Sequence, residues 1–108
     1  MHKIHKTWLV LTALMLIQSN AYAAGDAAKG KKVFEKMGCI GCHANGGNDV
    51  NPRKPLKGKE FDALFADDKA IKKIVREGVT GTPMRAFSKR AISDSDLCNL
   101  IAYIRTFK

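Results

Sequence analysis

The chain has 108 residues, 45% of them hydrophobic and 7% aromatic, with 19 Lys and Arg against 10 Asp and Glu and a formal net charge of +9. That length holds one domain with a marginal hydrophobic core. No nucleophile–base constellation for hydrolytic or transfer chemistry is discernible, so an enzyme of those classes is not expected.

Residues 1–23 read as a cleavable secretory signal peptide. His2, Lys3, His5 and Lys6 precede the apolar run Trp8 to Ile17, and Ala21-Tyr22-Ala23 forms a small-x-small cleavage site with Ala24 as the new N-terminus. The alternative is an uncleaved membrane anchor, but the run falls well short of the roughly 20 residues that a spanning helix requires. No Cys lies near the cleavage site, so a lipoprotein anchor is unsupported as well. A periplasmic location follows, with residues 24–108 as the working domain. Those residues carry 17 Lys and Arg against 10 Asp and Glu, one His (His43) and two Met (Met37 and Met84). The positive excess points to an acidic partner surface or an anionic membrane face.

Helical periodicity dominates the domain, and no alternating, strand-like run of convincing length appears. Asp26 is placed to cap a helix from about Ala27 to Met37, with Ala27, Gly30, Phe34 and Met37 at helical spacing and Gly38 ending it. A glycine inside a helix costs about 1 kcal/mol relative to Ala, so Gly30 is expected to admit the close approach of another helix.

Cys39-Ile40-Gly41-Cys42-His43 follows directly. Two thiols and an imidazole at this spacing are the attachment signature of a c-type haem. Two intervening residues let both sulfurs reach the vinyl groups on one porphyrin edge while the adjacent His turns under the iron. Thioredoxin-like redox proteins and zinc sites also use Cys-x-x-Cys. The first needs a βαβ context that is absent here, and the second needs further ligands that this domain cannot easily supply. A covalently held haem would also provide the apolar interior that so short a chain lacks, so the haem-free chain is expected to be largely unfolded.

From Ala44 to Lys59 the chain is rich in Gly, Asn, Pro and Lys and reads as a loop. Phe61, Leu64 and Phe65 suggest a short helix. Asp67 or Asp68 opens another, carrying Ile71, Ile74 and Val75 and stopping at Gly78, with Lys72, Lys73 and Arg76 on its other face. A second loop, Val79 to Ile92, contains Gly81-Thr82-Pro83-Met84. Ser93 then starts a helix with Asp96 three residues on, a weaker form of the capping box. Leu97, Leu100, Ile101 and Ile104 make its core-facing stripe.

His43 is the expected proximal iron ligand through Nε2, its other ring nitrogen donating to a backbone carbonyl. For the distal position a second His is lacking, and Met37 lies too close in sequence to cross to the opposite haem face. Met84 stands far along the chain, where Pro83 prevents a continuous helix. Core gap-filling is the commoner role of Met, but His/Met coordination is the usual cytochrome c arrangement. A thioether ligand favours ferrous iron and closes the sixth position, which leaves one-electron transfer as the chemistry.

On these residues the chain resembles a small class I cytochrome c of the bacterial and algal c6 and c553 type. The similarity runs through Gly30-Lys31-Lys32-Val33-Phe34, Cys39 to His43, Gly46-Gly47-Asn48, Pro52, Leu56, Gly81-Thr82-Pro83-Met84 and Leu100-Ile101-Ala102-Tyr103-Ile104. The resemblance implies an all-α fold whose first and last helices cross around a covalent haem c, with Gly30 and Phe34 meeting Leu100 and Tyr103. It also implies thioethers at Cys39 and Cys42 and axial ligands His43 and Met84.

Two departures stand out: Arg85 occupies the position after Met84 where the family often has Pro, and Cys98 is a third thiol, in the last helix. Cys98 reads as a small semi-buried residue, with an intermolecular disulfide or a reactive thiol as the alternatives. The function expected is a periplasmic one-electron carrier between respiratory or other redox partners, a monomer without a stable membrane anchor and without nucleic-acid binding. Arg85, Lys89 and Arg90 would steer docking to acidic partner surfaces. The alternatives are a dedicated haem subunit of a periplasmic enzyme complex and a ligand-binding haem sensor or peroxidase.

Overall fold

The structure is a computed structural model that describes residues 25–108; the signal-peptide reading of residues 1–23 lies outside the described residues. All regular secondary structure among them is helical: α1 (Ala27–Lys36), α2 (Ile40–His43), a 3-10 turn at Ala44–Gly46, α3 (Lys59–Leu64), α4 (Asp68–Glu77) and α5 (Asp94–Ile104). The caps follow from side-chain chemistry. Asp26 accepts from the Lys29 amide, Asp67 from the Lys69 amide and Ser93 from the Asp96 amide, each relieving one of the amides left without a partner at a helix start.

The first and last helices form the spine of the domain. Gly30 is buried against α5, and a Cβ there would lie 1.8 Å from the Asn99 carbonyl oxygen and 2.9 Å from the Tyr103 Cβ. Only a glycine admits this approach, as its mid-helix position suggested. Phe34 is 1% exposed and meets Tyr103 edge-on, ring centroids 5.2 Å apart, with Phe107 5.7 Å away. Asn99, in the middle of α5, ties the start of α1 to it by accepting the Asp26 amide at 2.8 Å. Tyr103 therefore serves helix packing.

The predicted stripe of α5 is buried in full: Leu97, Leu100, Ile101 and Ile104 join Phe34, Phe61, Ile71 and Val75 in a single cluster. Two further members, Phe87 and Ile92, come from the second loop. Ile92 is fully buried, although the segment around it has no periodicity to announce it. Among the described residues no polar or charged residue is buried.

Arg76 corrects the reading of the outer face of α4. Its guanidinium folds inward, donating through Nη1 to the carbonyls of Ile92 (2.6 Å) and Phe87 (3.2 Å) and through Nη2 to Asp94 (2.8 Å). Arg105, just past α5, acts alike by donating to the Phe65 carbonyl and to Asp68. Neither role is visible in the sequence, which places Arg76 with Lys72 and Lys73 on the outer face of α4.

Candidate functional site

Cys39 stands at the N-terminal cap of α2 and Cys42 on that helix, so one helical turn carries both thiols and ends at His43. Both thiols are free and half-buried. Burial raises the pKa of the Cys39 thiol above its usual value, opposed by a backbone hydrogen bond and by the positive charge of Arg85. Cys39 and Met84 both pack against the core cluster, which brings the second loop to the same apolar surface as the two-cysteine segment.

His43 is oriented by the chain that follows it. Its Nδ1 donates to the Gly47 carbonyl at 2.8 Å, which leaves Nε2 with a free lone pair. The acceptor returns to the ring because Asn45 (φ 56°) and Gly46 (φ 75°) take left-handed backbone and reverse the chain within one 3-10 turn. Gly46 is also pressed under Phe107, where a Cβ would lie 2.7 Å from the ring. The Gly46 carbonyl accepts the Leu56 amide, and Lys57 donates to the Asn45 carbonyl. The sequence leaves open which carbonyl holds the imidazole, and in the structure it is that of Gly47.

Met84 reaches the site from the second loop, half-buried and packed against the same core cluster as Cys39 and Met37. The loop closes on itself and on α4. The Val79 amide donates to the Met84 carbonyl (2.9 Å), the Thr82 hydroxyl donates to the Val79 carbonyl (2.8 Å), and the Met84 amide donates to the Thr82 hydroxyl (3.2 Å). A Cβ on Gly78 would lie 2.8 Å from the Met84 carbonyl oxygen. Arg85 is exposed and stacks over the Phe87 ring with its guanidinium carbon 4.7 Å from the centroid. Arg85 thus gains an intramolecular partner in place of the family's proline. Cys98 is half-buried on α5, and it is its backbone carbonyl that faces Gly25.

Residues 25–104 match the family described as "Cytochrome C oxidase, cbb3-type, subunit III". Cytochrome c6 of Picosynechococcus sp. is 40% identical over 101 residues, covering 88% of this chain and 84% of that one. Cytochrome c6 of Cyanidioschyzon merolae is 35% identical over 99 residues, covering 88% and 86%. Among solved structures, cytochrome c6 of the diatom Phaeodactylum tricornutum is similar with a TM-score of 0.61 at 34% identity, covering 74% of this chain and 91% of that one. An all-α fold with a two-cysteine-and-histidine turn is the architecture of a class I c-type cytochrome. The chain belongs to that family, as a cytochrome c6-like member: a small electron carrier with one covalently bound haem c and its iron.

The residues present fit that group. Two free thiols and an imidazole with an available Nε2 lie on one turn, and a thioether sits on an apolar cluster without buried polar side chains. Such surroundings accept a large apolar macrocycle without leaving a polar group unpaired.

Proposed function

We propose that Cys39 and Cys42 form the haem thioethers and that His43 Nε2 and Met84 Sδ are the axial iron ligands. The observation that carries this reading is the hydrogen bond from His43 Nδ1 to the Gly47 carbonyl, which selects the tautomer with a free Nε2 beside the two thiols. When bound, haem c supplies the one-electron couple. The chain's own contribution is orientation and exclusion: Gly47 holds the imidazole plane, the Val79–Thr82–Met84 hydrogen bonds present the thioether, and the apolar cluster keeps water away. With both axial positions filled by protein, no site remains for a substrate, and the protein transfers electrons without enzymatic turnover.

Residues 1–23 are read as the leader that exports the 24–108 domain to the periplasm. No described helix is long and apolar enough to cross a membrane. The domain is taken to act as a monomer that meets redox partners through acidic surfaces, with exposed Arg85, Lys89 and Arg90 steering the encounter. The relatives matched over most of their own length are cytochromes c6, which does not favour a dedicated enzyme subunit or a ligand sensor. The decisive experiment is the visible spectrum of the holoprotein and of Met84→Ala. The ferric iron–thioether band is expected in the first and absent from the second. A band that survives the substitution removes Met84 from the iron.

A further inference from the structure

We propose that Arg76 is the positioning residue that keeps Met84 on the iron, by clamping shut the loop that carries it. The proposal rests on the reading of Met84 as distal ligand. Between Val79 and Ile92 the chain has no helix or strand among its elements, so nothing regular holds the thioether in place. Upstream of Met84 the loop is held by its own hydrogen bonds at Val79 and Thr82. Downstream, the Phe87 amide donates to the Val75 carbonyl (2.9 Å), the Ala91 and Ile92 amides close a local turn on the Ser88 carbonyl (3.0 and 2.9 Å), Lys89 pairs with Asp94 (3.5 Å), and the side-chain hydrogen bonds that reach the segment from α4 all come from one guanidinium. Arg76 takes the Phe87 carbonyl at the near end of the segment, the Ile92 carbonyl at the far end, and the Asp94 carboxylate at the start of α5.

Two of these partners, Phe87 and Ile92, lie in the segment that carries Met84, and the third, Asp94, opens α5, so the clamp ties the ligand loop to α4 and to the start of α5 and leaves the α1–α5 crossing at Gly30 untouched. A planar fork of donors can serve three divergent acceptors at once, whereas a lysine ammonium at the end of the same stem cannot match that geometry. The Arg76 side chain is 20% exposed, so its two carbonyl bonds are partly shielded from competing water. Without the clamp, the open state of the loop, in which the thioether has left the iron, gains population.

Arg105 provides the internal control. It has nearly the same exposure (29%) and the same kind of partners, one backbone carbonyl and one aspartate, but these join α5 to the α3–α4 turn. If Arg76 is merely a stabilising residue, the two arginines behave alike.

The test is imidazole titration of the ferric holoprotein, since added imidazole takes the iron only when Met84 has left it and its apparent affinity scales with the open fraction. Arg76→Gln is expected to bind imidazole about tenfold more tightly than wild type and to weaken the thioether band, with Arg76→Lys between the two. Arg105→Gln is expected to lose comparable stability to denaturant while keeping wild-type imidazole affinity. Equal gains in the Arg76 and Arg105 variants overturn the proposal, as does wild-type affinity in both Arg76 variants. If Arg76→Gln fails to hold haem, Arg76→Lys decides alone. A thioether band that survives Met84→Ala removes the ligand assignment and this proposal together, whereas loss of that band alongside wild-type behaviour of the Arg76 variants removes this proposal only.

Discussion

His43 and Asp94 show how far a single side chain's behaviour depends on a neighbour chosen by the fold. The imidazole meets an acceptor only four residues away, yet the meeting requires two consecutive left-handed residues. Asp94 is exposed, but its carboxyl lies below the ordinary carboxylate range because Arg76 donates to it, with Lys89 adding its charge. The folded chain therefore holds this proton less readily than the unfolded chain does. The contribution of Asp94 is fully present above the unfolded pKa and is lost as pH falls through the folded one. Exposure and salt limit its size, since such pairs are worth little in water. Asp94→Asn is expected to lower the denaturant midpoint at neutral pH, with the two proteins converging as pH drops below the carboxylate range. A gap that stays constant with pH would show that the charge is not what matters.

At the scale of elements, the close approach of α1 and α5 is the constraint with the least tolerance. Gly30 faces backbone, the Asn99 carbonyl, which cannot rotate away as a side chain can. Gly30→Ala gains helix propensity of about 1 kcal/mol but must push the helices apart, and overpacking of this kind costs about 3 kcal/mol, so a net loss is expected. Chemical denaturation of the holoprotein measures it, and a stabilised variant would show that the helices separate freely. The caps at Asp26 and Ser93 and the stripe of α5 were legible in the sequence because each depends on neighbours within one or two turns, whereas the cap of α4 was narrowed only to Asp67 or Asp68 and is Asp67. Ile92 and Phe87 were not, because their burial is set by α4 and α5 closing over an irregular segment. The same holds for Arg76, whose main acceptors are backbone carbonyls that carry no residue identity.

For the whole molecule, the short length and the strong positive charge have separate consequences. Among the described residues ten buried hydrophobic side chains form the core, a small interior for a domain that must also position a prosthetic group. The haem-free chain is expected to give a largely unfolded circular dichroism spectrum, and a native-like spectrum without haem would show that the apolar cluster suffices. The charge acts outside the fold. Electron transfer to an acidic partner, followed by stopped flow, is expected to slow as ionic strength rises, because salt screens the attraction that Arg85, Lys89 and Arg90 provide. A rate indifferent to salt would leave these cations as solvated surface.

Sequence alone determined the chemistry of attachment, the helical class and the bounds of the main helices, since thiol spacing, capping and apolar periodicity are properties of short stretches of chain. Tertiary structure alone decided which carbonyl turns His43, which arginines leave the surface and which loop residues complete the core. Those outcomes depend on where distant backbone arrives once α1 and α5 have closed on each other, and no local pattern of residues encodes that arrival.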